Sequence, residues 1–154
     1  MARKAAKKKK LEVNIREMKE EDIKAVLAID RKITGQDRAL TYTLIPMSFL
    51  GGQLAMSVVA EVEGKIVGFL FGQMVGSNYE LGDIAVAQII GVDPDYLHQR
   101  IGTRLVEAFM AFCKKQGIDK VHAMLSVHDW WMISFLRSMN FSHGEMVDFV
   151  KSSD

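Results

Sequence analysis

The chain has 154 residues, 49% of them apolar and 25% charged, with one cysteine and a formal net charge of +1. That length and mix suit a globular domain with a buried core and exclude a wholly disordered or collagen-like chain. No apolar run approaches the ~20 residues that span a bilayer, and Cys113 alone makes neither an internal disulfide nor a cysteine-cluster metal site, so a reducing, cytoplasmic setting without membrane contact is expected.

The charge is uneven. Six of the 20 basic residues (Arg3, Lys4, Lys7, Lys8, Lys9 and Lys10) fall in the first ten positions, leaving 14 basic against 19 acidic residues in the remainder. The opening stretch has no apolar segment of a secretory signal and no pattern that buries a core. Residues 1–10 therefore read as a disordered basic tail and 11–154 as a single domain. The tail is a solvated arm or a nucleic-acid contact acting through counterion release; nothing aromatic or structured supports the second, so nucleic acid is not expected as a partner.

Residues 11–17 alternate apolar and polar, as a strand does. Glu20, Glu21 and Asp22 suit a helix N-terminus, and Ile23, Val26, Leu27, Ile29 and Ile33 then share a helical face, with Asp30 on or beside it and Gly35 as the stop. A second helix is predicted at about 37–48, broken near Pro46. Residues 58–62 and 65–75 read as a hairpin around Glu63-Gly64. Residues 76–82 form a loop, and 83–92 a mostly buried strand whose Gly91 marks a bulge or a close backbone approach.

Ile101 to Gln116 is the clearest helix, with Ile101, Leu105, Ala108, Phe109, Phe112 and Cys113 as its apolar stripe and Gly117 as its stop. A strand at 120–127 follows, then a helix from Trp130 to Met139 capped by Asp129, and one or two last strands within 141–150. Strands in a run that then alternate with helices predict a mixed sheet covered by helices.

The strongest chemical signal is the unit 89–106. A helix starting at Ile101 offers unpaired amides in Gln99-Arg100-Ile101-Gly102-Thr103-Arg104, an anion site that suits phosphate. Gly102 admits close approach, Arg100 and Arg104 add charge, and Thr103 adds a hydroxyl. The bland alternative is an ordinary helix start with surface arginines. Neither GxxxxGK[ST] nor GxGxxG is present. His98, His122 and His143 show no metal spacing, so no metal is expected.

Val92-Asp93-Pro94 closes the strand, Leu97-His98-Gln99-Arg100-Ile101-Gly102 leads into the helix, and Gly117-Ile118 follows it. Farther on stands Asp129-Trp130-Trp131-Met132-Ile133-Ser134-Phe135-Leu136-Arg137-Ser138-Met139-Asn140-Phe141. In these segments and their order the chain resembles the Gcn5-related N-acetyltransferase family over roughly residues 11–150. Members carry a Val-x-Pro-like end to the fourth strand, a pyrophosphate loop R/Q-x-x-G-x-G/A, and later N-x-x-A-x-x-F-Y-x-x-x-G-F. Here Arg100 stands at the first glycine, Gly102 at the second and Leu97 at the Arg/Gln. The shifted register Gln99-x-x-Gly102-x-Arg104 fits the helix less well. Asp129 replaces the Asn, Phe135 matches, Asn140 replaces the glycine, and Leu136 takes the place of the tyrosine often proposed to protonate the departing thiolate.

The resemblance implies an α/β fold with a mixed, largely antiparallel sheet of six to seven strands, about four flanking helices, and a cofactor cleft where the fourth and fifth strands splay. It implies acetyl transfer from acetyl-CoA to an amine, a small molecule or a protein N-terminus, and admits a homodimer. Carried over, the cofactor would meet Ile90, Gly91, Val92, the residues Gln99 to Arg104, Asp129 and Phe135. The acceptor would meet Asp30, Arg38 and Gln88, the last where several members place a substrate-facing glutamate. His128, whose imidazole titrates nearest neutrality, and Asp83 or Glu80 through water are the candidate bases. Trp130 and Trp131 line an acetyl channel, or one of them is core. Two other readings stay open: an acyl-CoA-binding module with weak or no turnover, and an RNA- or ribosome-associated protein using the tail.

Overall fold

The sheet is built around a hairpin. In a computed structural model, which describes residues 10–35, 56–75 and 83–154, strands β2 (Val58–Val62) and β3 (Lys65–Val75) pair antiparallel. Their turn places both Glu63 and Gly64 at positive φ, 50° and 77°, the backbone twist that tight hairpins favour. Strand β1 (Asn14–Glu17) joins the far side of β2, and β4 (Ile84–Val92) lies antiparallel to β3. Strand β5 (Val121–Ala123) is parallel to β4, so the order is β1-β2-β3-β4-β5. The α/β architecture with a mixed sheet is as expected.

Helix α1 (Ile23–Thr34) ends at Gly35, whose φ of 66° is the left-handed cap anticipated there. Helix α2 (Ile101–Lys115) follows a 3-10 turn at Pro94–Tyr96. Strand β3 holds both helices through its alternating side chains. Phe69 and Phe71 join Val26 and Ile29 of α1 in one core cluster with Val59. On the other face, a Cβ added to Gly68 would lie 3.0 Å from Ile101 Cγ2 and 3.1 Å from Leu105 Cδ1 of α2. At Gly72 it would overlap the Phe109 ring and stand 2.5 Å from the Met56 carbonyl oxygen. The glycines let α2 press onto the sheet, and the phenylalanines fill the side toward α1.

Charge fastens the sheet's other edge. Arg16 on β1 donates to both oxygens of Asp22 at 2.7 and 2.8 Å and to Glu61 Oε2 on β2 at 3.0 Å. The Arg16 hydrogen bonds hold the Asp22 carboxyl below its ordinary value against the opposing effect of burial.

The chain divides into two compact units, Met1–Ala123 and Met124–Asp154. The second contains α3 (Trp130–Ser138), whose start Asp129 caps by accepting from the Met132 amide at 3.0 Å. Asn140, just beyond its end, takes φ 66° in the glycine's place.

Several expectations need adjustment. Among the described residues there are five strands and three α-helices, where six to seven strands and about four helices are expected of the whole chain. The helix predicted at 37–48, Arg38 and the tail up to residue 9 lie outside them. Residues 141–150 form no strand, and Phe149 is 92% exposed. Beyond Phe141 their apolar residues come as the adjacent pairs Met146-Val147 and Phe149-Val150, which put apolar side chains on both faces of an extended chain rather than on one. The strand predicted at 120–127 stops at Ala123. Neither tryptophan is core: Trp130 and Trp131 are 73% and 65% exposed, and Trp131 stacks instead on Phe135, one helical turn on, with ring centroids 6.1 Å apart.

Gly72→Ala is expected to destabilise the fold by about 3 kcal/mol, since a methyl group must displace the Phe109 ring or the backbone at Met56. Urea unfolding of the variant beside Gly35→Ala, where a Cβ has open space but a left-handed φ, separates overpacking from backbone strain.

Candidate anion site at the β4 end

Strand β4 is irregular where the chemistry was anticipated. Its register against β3 passes from Gly72↔Ala87 to Phe71↔Ile89, which leaves Gln88 as an extra residue, a bulge that bends a strand and re-aims its side chains. The bulge lies at Gln88 rather than Gly91. Gly91 is glycine for a different reason: a Cβ there would meet the Phe69 ring at 2.5 Å and Ile33 Cδ1 of α1 at 3.1 Å. Pairing with β5 ends at Ala87↔Ala123, directly before the bulge. From Gln88 to Val92, β4 has no strand partner on that side among the described residues.

Helix α2 begins beside this strand end. A Cβ on Gly68 would stand 3.3 Å from the Gly91 carbonyl oxygen as well as against Ile101, so the buried side chain of Ile101 anchors the helix start next to Gly91. The first helical hydrogen bond runs from the Arg104 amide to the Arg100 carbonyl at 3.0 Å. The amides of Ile101, Gly102 and Thr103 have no hydrogen-bond partner among the described residues, as the first turn of any α-helix dictates. Arg100 and Arg104 are exposed, and Gly102 and Thr103 half-buried. Three amides at the positive end of a 15-residue helix, flanked by two guanidinium groups, form a donor set matched to a diphosphate.

Arg100 itself has φ 61° and ψ 22°, and His98 has φ 62°. The left-handed conformation explains why glycine stands at this position in the resembled motif. Arginine adopts it at some strain.

The remaining candidate residues are spread over the molecule. Gln88 is half-buried, and its Nε2 donates to Gln73 Oε1 on β3 at 3.3 Å. Gln73 was not singled out from sequence; a polar residue interrupting the apolar run of β3 was the available signal. Asp30 is buried on α1 and its carbonyl accepts from Thr34 Oγ1 at 3.0 Å. Asp83 is exposed at the entry to β4, Gln99 is exposed before α2, and Ile90 and Val92 are half-buried on β4. Glu80 lies outside the described residues. His128, Asp129, Phe135 and Leu136 belong to the second unit. There His128 is exposed and its amide donates to Ser126 Oγ at 3.1 Å, Phe135 is half-buried, and Leu136 is buried.

Cys113 is buried, and burial pushes its thiol up to about 11, which makes it a core residue rather than a nucleophile. Among the described residues no three His, Cys, Asp or Glu side chains gather as a metal ion needs, and no helix is long and apolar enough to cross a membrane.

A mixed sheet whose fourth strand bulges and, among the described residues, leaves its parallel neighbour beside a helix start defines an α/β protein with an open strand end next to a helix N-terminus. Residues 25–141 match the model of the acetyltransferase (GNAT) family, and the chain belongs to that family. An uncharacterized N-acetyltransferase of Methanocaldococcus jannaschii is 34% identical over 90 residues, covering 58% of this chain and 40% of the relative. The probable N-acetyltransferase camello of Xenopus tropicalis is 32% identical over 77 residues, covering 50% and 34%. The chain thus spans less than half the length of these curated relatives. Among solved structures, an aminoglycoside N-acetyltransferase in complex with CoA superposes with a TM-score of 0.80 at 14% identity, covering 94% of this chain and 97% of that one. The ribosomal-protein-S18-alanine N-acetyltransferase of Escherichia coli gives 0.71 at 20% identity, covering 86% and 79%. At these identities the solved structures establish the fold.

Arg100→Gly is expected to raise stability by about 1 kcal/mol, the left-handed penalty less the chain entropy of glycine. Thermal or urea unfolding measures it, and a loss of stability would show that the arginine side chain contributes more than its backbone costs.

Proposed function

We propose that this chain is an acetyl-CoA-dependent N-acetyltransferase acting on a primary amine, a small molecule or a protein N-terminus, by direct attack on the thioester. The observation that carries this is the set of three amides at the start of α2 that have no partner among the described residues, placed beside a β4 end that has no strand neighbour among them on the β5 side. Family membership supports it.

In this reading the amides of Ile101, Gly102 and Thr103 hold the diphosphate, with the Arg100 and Arg104 side chains adding charge and Gln99 lining the approach. The unpaired edge of Ile90, Gly91 and Val92 supplies backbone donors and acceptors to the pantetheine arm, as a strand edge does to any extended amide chain. A backbone amide there polarises the thioester carbonyl and stabilises the oxyanion that forms on attack. The family motif adds Asp129 and Phe135 to the cofactor's surroundings.

Asp30, Arg38 and Gln88 orient the acceptor. With its Nε2 given to Gln73, Gln88 keeps Oε1 as an acceptor for an amine N–H, but an amide does not take the proton. His128 removes it, or Asp83 does through water. The amine nitrogen bonds to the acetyl carbon, the carbon–sulfur bond breaks, and the electron pair leaves on sulfur. Leu136 stands where the family's tyrosine would reprotonate that sulfur, so the thiolate departs unaided or takes a proton from water. Positioning of amine and thioester supplies much of the rate.

Gly102→Glu is expected to abolish saturable binding of coenzyme A in calorimetry while the variant stays folded, because the carboxylate stands where a diphosphate approaches the amides. Unchanged affinity would refute this site.

His128→Ala is expected to lower thiol release with a common amine ~10²-fold near neutral pH. A loss under about threefold at every pH removes the imidazole and leaves Asp83 or solvent. Binding of acetyl-CoA without release across a broad amine panel would favour the acyl-CoA-binding module.

A further inference from the structure

Between Val92 and Ile101 a single residue is buried. This is Asp93, 2% exposed, and it is tied down on every side. Its amide donates to the Val67 carbonyl of β3 at 2.8 Å, and its Oδ1 accepts from the Asp95 amide at 3.0 Å. Lys32 Nζ, from the last turn of α1, donates to both carboxylate oxygens at 3.0 Å and to Asp95 Oδ2 at 3.1 Å. Burial works against the charge on Asp93, yet the Asp95 amide and the Lys32 ammonium hold its carboxyl below the ordinary value, with Lys65 adding a longer-range attraction. Asp93 first, and Asp95 second, push the Lys32 ammonium up.

The rest of the turn has little to hold it. Pro94, Asp95 and Leu97 through Arg100 are exposed, and Tyr96 is half-buried with the Lys65 ammonium 5.5 Å from its ring centre. Within it His98 and Arg100 occupy left-handed backbone that only a fixed setting sustains. The segment is thus pinned at Asp93 and at Ile101, and the unpartnered amides begin at the second pin. Burying a carboxylate costs several kcal/mol unless it is paired, so the pin at Asp93 holds only while Lys32 is present.

We propose that Lys32 and Asp93 are positioning residues for the coenzyme A site: their ion pair clamps the β4–α2 turn to α1 and so sets the amides of Ile101, Gly102 and Thr103 for the diphosphate. The inference rests on the proposed function. It also makes α1, which carries Asp30, and the cofactor turn one mechanical unit, because Ile33 of the same helical turn packs at Gly91.

The test compares wild type, Lys32→Met and Lys32→Arg by calorimetry with two probes, coenzyme A and pantetheine, the second of which lacks the diphosphate. The Lys32 side chain is 47% exposed, so neither substitution opens a core cavity, and thermal unfolding establishes that both variants are folded before binding is read. Lys32→Met is expected to weaken coenzyme A about tenfold, or 1.4 kcal/mol, with pantetheine changed less than twofold, and Lys32→Arg to recover most of the loss. An unchanged coenzyme A affinity in Lys32→Met, or an equal loss of both probes, overturns the positioning role while the proposed function stands. Failure of wild type to bind coenzyme A overturns both.

Discussion

Helix α2 lies so close to the sheet that no side chain fits beneath it at Gly72, and barely one at Gly68. That approach organises much of the first unit. Ile101, Leu105 and Phe109 are buried against the sheet because the glycines leave room for them, while Phe69 and Phe71 of the same strand turn their rings to α1. One strand therefore serves two helices of different standoff, with Phe69 and Phe71 on one face and Leu70 between two glycines on the other. The position of the helix start follows. Ile101 is the first residue of α2 and also the contact at Gly68, so close packing of the helix onto β3 sets the helix start near the Gly91 end of β4.

The second determinant is what β4 does not pair with. Its bulge at Gln88 coincides with the end of its ladder to β5. A strand whose hydrogen-bonding groups lack a neighbour must satisfy them otherwise, and an extended ligand with amide groups is one such partner. The coenzyme A reading joins these two facts: charge recognised at the helix, extended chain recognised at the strand. Both features come from the backbone, which explains how the binding motif tolerates Arg100 and Leu97 in place of the usual residues. The side chains proposed for acid–base work are a separate matter, and Leu136 stands where the resembled motif has its tyrosine.

Much of this was legible in the sequence. The hairpin bounds at Glu63-Gly64, the helix from Ile101, the left-handed cap at Gly35 and the Asp129 cap are local devices, written in residues within a turn or two of where they act. So is the helix-start anion site, because a helix always leaves its first amides bare. Amphipathic stripes and glycine stops depend on neighbours in sequence, and a single chain carries that information openly. The resemblance to the acetyltransferase family added the order of the motifs and the assignment of Gln88 and Leu136.

Tertiary structure alone decided the rest, since those features depend on residues far apart in sequence. The pairing of Lys32 with Asp93 spans 61 positions, and no pattern along the chain announces it. Gly91 reads as a bulge or a close approach, and it is the Phe69 ring from a neighbouring strand that excludes a side chain there; the bulge falls on Gln88, where the register against β3 shifts. By type Trp130 and Trp131 line an acetyl channel or one of them is core, yet their exposure depends on what packs around them. One or two strands are expected within 141–150, but a strand exists only where another offers it a ladder. Local hydrogen bonding and hydrophobic period are properties of sequence, whereas register, packing distance and charge pairing arise only when distant segments meet.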